Sequence, residues 1–443
     1  MLKGKTIIKG EIELLSPVII GSGKNDTTDV DVLKDEKGKA YIPATSFAGV
    51  LKHFTKKMVG YSKHEEELFW GSSNENNENK EQKQSAIRID DLLTLDENNI
   101  SQRDGVKISR KKGIAEDTAK FDYEVVETGS RFSLEIEITF DANEENNTFK
   151  KQMIATIIEL LKNGEIRLGA KTNSGFGRIK LVDDYKIYSF DFTNKKDVLR
   201  WFKQDLKTPS GLNIKPLQNK SKNFTINGDF VIKNSIIVRS YNYDPNMPDI
   251  ENIKSNGRPI LPGTSLKGAI RSRIERIVKT VKNEEEAEKI IDGLFGYVKE
   301  KTSKKGKITV EETFIDGYAE EIQTRIKIDR FTGGTIEGAL LEAKPIFSKE
   351  NAKAIKLKIT VSDYKDYEAG LLLLVLKDLW TGDLPIGGEK AIGRGVLEGR
   401  KAEINWDGKH SITFEDISQL EKSQKEQLQS FVEAFVNFSQ GVV

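Results

Sequence analysis

Five aspartates in two polar loops are the strongest candidates for chemistry in this sequence. Asp26, Asp29 and Asp31 lie in the loop Gly21-Ser-Gly-Lys-Asn-Asp-Thr-Thr-Asp-Val-Asp31, and Asp244 and Asp249 lie in a later loop of similar character. A loop carboxylate can hold Mg²⁺ against a phosphate or orient a ribose 2′-OH for in-line attack. Aspartates in such loops also serve as ordinary turn residues, which is the alternative interpretation.

Two glycine-rich segments are candidates for contact with phosphate. Gly169-Ala-Lys-Thr-Asn-Ser-Gly-Phe-Gly177 and Gly387-Gly-Glu-Lys-Ala-Ile-Gly-Arg-Gly395 share the spacing of their glycines, and each contains a lysine. Glycine lets backbone N–H groups approach a phosphate closely, but neither segment is a P-loop or a dinucleotide fingerprint. The predicted nucleic-acid contacts are Lys171, Gly175, Gly177, Lys390, Gly393 and Gly395. A tight turn between a helix and a strand is the alternative.

Basic residues on two predicted helices and two loops extend this candidate nucleic-acid interface. A helix N-terminus combined with cationic side chains suits a nucleic-acid backbone, although a solvated polar face would look the same in sequence. The predicted contacts are Ser46 and Lys52 on the first helix, Ser265, Lys267 and Arg271 on the second, and Arg110 and Arg330 on the loops.

The composition limits the other kinds of chemistry. The chain of 443 residues has no cysteine and only three histidines, which argues against zinc and other Cys- or His-rich metal centres. Its 70 basic and 69 acidic residues give a formal charge of +1, so nucleic-acid binding would need local basic grooves. No stretch resembles a signal peptide or a membrane span, and we therefore expect a cytoplasmic protein.

The sequence contains one internal repeat that fills the chain. Pro43 and Pro262 lie 219 positions apart, the arginines of Ile108-Ser-Arg110 and Ile328-Asp-Arg330 lie 220 apart, and the glycine-rich segments lie 218 apart. Several matches in one order at a nearly constant offset indicate two copies of one domain. We predict domains at residues 1–206 and 224–443, joined by a linker at 207–223 that is rich in turn formers and lysine.

Both copies show the same predicted order of elements. Each has an opening strand (6–14; 224–231), a helix after Pro-x-Thr-Ser whose hydroxyls could cap it (47–59; 266–281), an alternating strand (132–140; 355–361) and a second helix (149–162; 368–380). A last amphipathic helix is predicted within 419–440. This order predicts an α+β protein with a ferredoxin-like βαββαβ core in each copy.

The combination of motifs resembles the RAMP superfamily of CRISPR-associated proteins, and within it the backbone subunits of type III effector complexes. The resemblance rests on Tyr41-Ile-Pro-Ala-Thr-Ser-Phe-Ala-Gly49 and Pro262-Gly-Thr-Ser-Leu-Lys-Gly268, on Leu294-Phe-Gly296, on the Ile-x-Arg loops and on the closing glycine-rich segments. It implies two tandem ferredoxin-like (RRM-like) domains with inserted β-hairpin thumbs, near 106–132 and 324–347.

The same resemblance implies a function and a choice among the aspartates. It places the catalytic, metal-binding acids at Asp29 and Asp249, with Asp26, Asp31 and Asp244 as substitutes, and it implies Mg²⁺ or Mn²⁺ as the cofactor. The implied partners are CRISPR guide RNA, target RNA and other type III effector subunits. A tandem fusion of two backbone subunits would bind the guide and cut complementary RNA. A non-cleaving scaffold, a metal-independent guide-processing endonuclease using His53, and a protein scaffold without RNA remain alternatives.

Overall fold

A computed structural model describes residues 2–23, 29–72, 83–97, 99–109, 115–241, 244, 246–299, 302–350 and 352–438. The chain divides into two compact units. Unit 1 comprises Met1–Gly105, Lys120–Thr172 and Phe176–Ser221, and unit 2 comprises Val106–Ala119, Asn173–Gly175 and Lys222–Val443. The predicted linker at 207–223 forms no helix, and its backbone meets unit 1, where the Leu217 N–H donates to the Thr156 hydroxyl at 2.9 Å.

The first half of the chain contains eleven described strands and four α-helices. The strands are β1 (Gly4–Leu14), β2 (Gly21–Gly23), β3 (Asp31–Val32), β4 (Tyr41–Ile42), β5 (Ile87–Ile89), β6 (Leu92–Leu93), β7 (Ile100–Ile108), β8 (Ala115–Val126), β9 (Arg131–Phe140), β10 (Ile179–Leu181) and β11 (Lys186–Asp191). The helices are α1 (Ala44–Val59), α2 (Lys63–Trp70), α3 (Glu144–Lys162) and α4 (Lys195–Phe202).

The central sheet of unit 1 has the order β10–β1–β9–β5, and all its neighbours are antiparallel. Alternate residues of β9, from Phe132 to Phe140, are buried, as their period of two predicts. Helices α1 and α3 contribute Phe47, Leu51 and Met153 to the same core. The alternating strand predicted at 132–140 is therefore confirmed, and an apolar face of the sheet is covered by helices.

The second half of the chain repeats this plan with more small strands. They are β12 (Asn223–Ile232), β13 (Ser235–Ile236), β14 (Arg239–Tyr241), β15 (Ile250–Asn252), β16 (Lys254–Ser255), β17 (Arg258–Leu261), β18 (Gly296–Lys299), β19 (Thr302–Lys305), β20 (Ile308–Val310), β21 (Thr313–Phe314), β22 (Ala319–Glu320), β23 (Gln323–Arg325), β24 (Leu341–Lys344), β25 (Ile346–Phe347), β26 (Ile355–Ser362), β27 (Leu397–Trp406) and β28 (His410–Phe414). The helices are α5 (Gly263–Val281), α6 (Glu284–Phe295), α7 (Asp366–Trp380) and α8 (Lys422–Val436).

The central sheet of unit 2 has the order β27–β12–β26–β20, with β28 added beside β27. This is the order of unit 1, because the first strand of each half lies between its last two long strands. Unit 2 has its own core, which includes Ile270 and Ile274 of α5 and Val375 of α7. Mixed α+β architecture is confirmed in both units.

Both helices that follow Pro-x-Thr-Ser begin three residues earlier than predicted. Pro43 and Pro262 occupy the N-cap positions, and no side chain caps either helix from there. The prediction of hydroxyl caps was therefore wrong, since the Thr and Ser residues already lie inside the first turn. In unit 1 the Asp91 carboxylate accepts the Ala44 N–H at 2.7 Å and satisfies one terminal donor.

The segments predicted as thumbs contain paired strands. β7 and β8 form a two-stranded sheet that begins before the predicted residue 106, because polar residues 101–105 show no hydrophobic alternation. β23 pairs antiparallel with β24, and Ile328 bridges Thr335 further out. Among the described residues, no helix is long and apolar enough to cross a membrane.

Candidate nucleic-acid interface

Asp29 lies at the base of the first thumb. Val30, the next residue, forms a parallel bridge with Tyr123 of β8, and the Asp29 N–H donates to the Asp122 carboxylate at 3.1 Å. The loop that carries this aspartate is therefore fastened to the strand that returns from the thumb.

Asp249 lies at the base of the second thumb in the same way. Ile250, the next residue, pairs in parallel with Ala343 of β24. The Asp249 carboxylate is exposed, and its Oδ2 accepts the Glu342 N–H at 2.8 Å. Here, too, a loop acid lies directly beside the strand that returns from the thumb.

The two aspartates occupy equivalent positions in the two copies. Each precedes the residue that pairs with the thumb strand, each has a contact with the residue one place before that partner, and all of these positions recur 220 residues later. The equivalence follows from strand pairing and does not depend on counting back from a helix. The structure thus brings each predicted acid to the junction of thumb and sheet.

The substitute aspartates have different surroundings. Asp31 is buried, with 7% of its surface exposed, in β3. Asp244 is exposed, and its carboxylate accepts the Asn246 N–H at 2.9 Å in a turn. Asp26 lies outside the described residues. Burial makes Asp31 a poor point of contact for a bound RNA, whereas Asp244 serves its own turn.

The carboxylates fit a metal that RNA helps to bind. Within the described ranges, no three Asp, Glu or His side chains converge on one point. Mg²⁺ is commonly held by one or two carboxylates together with water and substrate phosphates. Asp29 and Asp249 can each supply one such ligand, and the remaining ligands would come from RNA and water.

The outer glycines of both glycine-rich segments are required by packing. A Cβ on Gly177 would lie 1.9 Å from the Leu168 oxygen, and one on Gly395 would lie 1.8 Å from the Ile386 oxygen. Both have positive φ, and their N–H groups donate to backbone carbonyls at 2.8 and 2.7 Å. These contacts explain both glycines through the turn itself, which was the alternative interpretation.

The inner glycines have positive φ as well. The φ angle is +96° at Gly175 and +82° at Gly393, and the Gly393 N–H donates to the Lys390 carbonyl at 3.1 Å. A left-handed backbone conformation favours glycine whether or not a ligand is present. Their role as RNA contacts stays a prediction.

Lys171 packs on aromatic rings in unit 1. Its Nζ lies 3.3 Å from the ring centroid of Tyr123 and 4.5 Å from that of Phe121, both on β8. Burial lowers the pKa of Lys171 to about 8. The lysine thus fastens the glycine-rich turn to the thumb strand by a cation–π contact.

In unit 2 the same backbone position carries an acid. Glu389 lies 218 residues after Lys171, and both have a φ near +54°, at 55° and 53°. The Glu389 side chain forms ion pairs with Arg394 at 2.7 Å, Arg325 at 3.0 Å and Arg239 at 3.4 Å. The lysines of the two glycine-rich segments are therefore not equivalent.

Arginines outweigh the burial of Glu389. Burial opposes its ionisation, but hydrogen bonds and charges from Arg325 and Arg394 hold its pKa below the usual value. Burial lowers the pKa of the adjacent Lys390. Our sequence analysis missed Arg239, Arg325 and Glu389, which lie far apart in the chain, although Arg394 stands visibly inside its motif.

The start of α5 gathers positive charge. Burial, followed by the charges of Arg271 and Lys305, lowers the pKa of Lys267 to about 8. The Arg271 guanidinium lies 5.3 Å from the ring centroid of Phe295. Ser265, two residues earlier, lies in the first turn of this helix. Two of the predicted contacts therefore share one place with Lys305, which our sequence analysis had assigned to solvated surface.

The start of α1 is less basic. Ser46 is exposed in the first turn, and Lys52 forms an ion pair with Glu66 at 3.0 Å. The Glu66 carboxylate also pairs with Lys56 at 2.8 Å. The first copy therefore neutralises part of the charge that the sequence suggested.

The outer part of the second thumb presents Arg330 to solvent. The Asp329 carboxylate accepts the N–H groups of Phe331 at 2.7 Å and Thr332 at 2.9 Å, which fixes the turn. Phe331 is fully exposed, and Arg330 is exposed beside it. Arg110, its counterpart in the first copy, lies outside the described residues.

The comparisons with known proteins agree with this arrangement of two copies. The model of the RAMP superfamily matches residues 11–180 and 236–398, about three quarters of the chain in two regions. No curated protein matches the chain. The chain belongs to the RAMP superfamily, and it is a CRISPR-associated RAMP protein with a match in each half.

Proposed function

We propose that this chain is a backbone subunit of a type III CRISPR RNA-guided effector complex, formed by tandem fusion of two RAMP subunits. It binds guide RNA along both copies and cleaves complementary target RNA. The observation that carries the proposal is the equivalent placement of Asp29 and Asp249 beside their thumb strands. Its partners are guide RNA, target RNA and other type III effector subunits.

We infer that each copy is a ferredoxin-like, RRM-like domain. In chain order the elements β1, α1, β5, β9, α3 and β10 form a βαββαβ unit, and the sheet order places the fourth strand beside the first and the third beside the second. The second copy repeats this order with its own elements. The paired strands inserted before β9 and β26 are the thumbs.

Sequence recognition in this proposal comes from the guide. Base pairing between guide and target reads the sequence, so the protein contacts mainly the RNA backbone. Cationic side chains at the start of α5 suit such contacts, because they attract phosphate without reading bases.

The proposed reaction is transesterification within the target RNA. The ribose 2′-oxygen attacks the adjacent phosphorus, the bond to the 5′-oxygen breaks, and the products are a 2′,3′-cyclic phosphate and a 5′-OH. Asp29 or Asp249 orients the 2′-OH and accepts its proton at a carboxylate oxygen. The same aspartates would hold Mg²⁺ or Mn²⁺, which stabilises negative charge on phosphate oxygens when bound.

The test is target-RNA cleavage by the assembled complex containing Asp29→Ala, Asp249→Ala or both. An aspartate acting on the 2′-OH contributes about 10²–10⁴-fold to the rate. We expect each single variant to lose one cut and the double variant to lose both, with guide binding retained. Asp184→Ala, an exposed acid of unit 1, is the matched control.

The alternatives give different outcomes in the same assay. Unchanged cleavage by all three variants rejects these acids as catalytic groups and leaves a scaffold function. Cleavage of the guide precursor that continues in EDTA and is lost in His53→Ala identifies metal-independent processing from the exposed face of α1, where His53 lies. Purification without nucleic acid would favour a protein scaffold.

A further inference from the structure

A short basic hairpin follows α6 in unit 2. β18 and β19 pair antiparallel, so that Gly296 lies opposite Lys305 and Val298 opposite Ser303. A Cβ on Gly296 would lie 2.3 Å from the Lys304 oxygen, and one on Gly306 would lie 2.4 Å from the Phe295 carbonyl carbon. The two glycines therefore set the hairpin close against the end of α6.

This hairpin brings Lys305 to the cations of α5. Lys305 is opposite the residue that follows Phe295, and the Phe295 ring faces the Arg271 guanidinium at 5.3 Å. The charges of Arg271 and Lys305 both act on Lys267, which is one turn before Arg271 on the helix. Three cations from two elements thus surround one place.

The acids near the hairpin are engaged elsewhere. Lys299, at the other end of β18, lies 3.4 Å from Asp292 and 3.6 Å from Glu288. Within the described part of the chain, Lys267 forms no ion pair with a carboxylate. Concentrated like charge in a partly desolvated place opposes folding, and a bound anion would relieve that repulsion.

The first copy has the same backbone arrangement with different side chains. A Cβ on Gly71 would lie 2.8 Å from the Lys83 oxygen, just as Gly296 meets Lys304, so Gln84 is the counterpart of Lys305. The helix spacing of 219 residues makes Ala48 the counterpart of Lys267.

Only one of the three cations has a basic counterpart. Lys52 takes the place of Arg271, and its Nζ pairs with Glu66 at 3.0 Å. The same place in the first copy therefore combines a neutral helix residue, a neutral strand residue and a neutralised lysine.

We propose that Lys267, Arg271 and Lys305 form a binding site for the phosphodiester backbone of single-stranded RNA that unit 2 has and unit 1 lacks. The inference rests on the proposed guide-binding function and adds to it an asymmetry: one copy holds the strand electrostatically at its first helix, and the other does not. The hairpin is the element that completes the site.

The test installs the residues of unit 1 in unit 2 and measures RNA affinity. Lys267→Ala, Lys305→Gln and the double variant are prepared in the full chain, assembled with its neighbouring subunits. A labelled single-stranded RNA is titrated at several salt concentrations. Each lost phosphate contact lowers the slope of log K against log salt by about 0.7 for single strands, so the double variant should lose about 1.4.

Two matched controls separate a built site from general positive charge. Lys299→Gln removes a cation of the same hairpin that pairs with Asp292, and Lys52→Ala removes a paired lysine of unit 1. Both should retain the wild-type salt slope. The thermal unfolding midpoint of each variant checks that lost binding does not reflect lost folding.

Each remaining result overturns the inference in a distinguishable way. If wild-type protein binds RNA and the double variant keeps its slope, the site is rejected while the proposed function stands. If Lys299→Gln weakens binding as much as Lys305→Gln, only diffuse charge acts. If the variants bind RNA normally but lose a partner subunit, the cations serve an acidic protein. If wild-type protein binds no RNA, the proposed function itself fails.

Discussion

At the scale of residues, equivalent backbone positions carry opposite chemistry in the two copies. Lys171 and Glu389 share a left-handed conformation in the glycine-rich turn, yet one lies over aromatic rings and the other binds three arginines. The turn is the conserved feature of the repeat within this chain, and the side chains that fasten it differ. Predictions for single residues must therefore be made copy by copy.

Gly395→Ala should be strongly destabilising, whereas Gly393→Ala should be milder. Both glycines have positive φ, which costs an alanine about 1–2 kcal/mol. Only at Gly395 would the Cβ also meet a backbone atom, the Ile386 oxygen at 1.8 Å, while Gly393 has open space. We expect a loss of about 4 kcal/mol or more in the free energy of unfolding, measured by denaturant titration. Equal losses in the two variants would contradict this.

RNA affinity should fall as pH rises through the pKa of Lys267. In the free protein that pKa is about 8, so the side chain loses its charge between about pH 7 and about pH 9, and affinity should fall about tenfold. Lys267→Arg should bind with little pH dependence, because arginine stays charged. A wild-type affinity that is flat over this range would contradict the prediction.

Folding stability should change in the opposite direction over the same region. The pKa of Lys267 is lowered on folding from 10.5 to about 8, so the unfolded chain binds more protons between these values. The contribution of this residue to the free energy of unfolding therefore rises with pH in that window. Comparing wild type with Lys267→Arg by denaturant titration isolates the contribution.

At the scale of elements, one ionic cluster joins three parts of unit 2. Glu389 in the glycine-rich turn binds Arg239 of β14 and Arg325 of β23, and Arg394 also reaches the Ser235 hydroxyl at 2.9 Å. The cluster links the turn to the sheet that carries the second thumb. Rigidity at the thumb base thus depends on charge in unit 2.

Glu389→Gln should destabilise unit 2 by about 2 kcal/mol, because it leaves the buried Arg394 guanidinium without its carboxylate. The loss is below that of a fully buried pair, since Arg239 and Arg325 are partly exposed and can be hydrated. The exposed Glu398→Gln, which pairs with Arg400, should change stability by less than about 0.5 kcal/mol. Thermal unfolding of both variants measures the difference.

The same cluster gives an acid dependence with a defined sign. The pKa of Glu389 is lowered on folding from 4.5, so its contribution to stability is complete above that value and is lost as pH falls through the lower, folded pKa. Wild type and Glu389→Gln should therefore converge in stability at acidic pH. A difference that stays constant below about pH 3 would contradict an ionic role.

At the scale of the whole molecule, the near-zero net charge conceals local segregation. The chain has a formal charge of +1, yet cations collect at the start of α5 and carboxylates neutralise the start of α1. Two units with the same sheet order and separate cores therefore differ in what they present to RNA. Such a difference suits a fused pair, because each copy can specialise while the fold is retained.

The sequence alone determined the repeat, the α+β class and the main elements. The alternating apolar residues of β9 and β26 predicted strands with one buried face, because side-chain direction along a strand has a period of two. The offset of about 220 residues predicted the two copies, and the motifs predicted the superfamily to which the chain belongs.

Only the tertiary structure decided which side chains meet. Glu389 and Arg239 are 150 residues apart, and Lys305 reaches Lys267 through a hairpin whose basic sequence looked like solvated surface. Likewise, strand pairing made Asp29 and Asp249 equivalent, since each precedes a partner of a thumb strand. Periodicity reports how a segment faces its own core, whereas ion pairs and charge clusters depend on distances that folding alone creates.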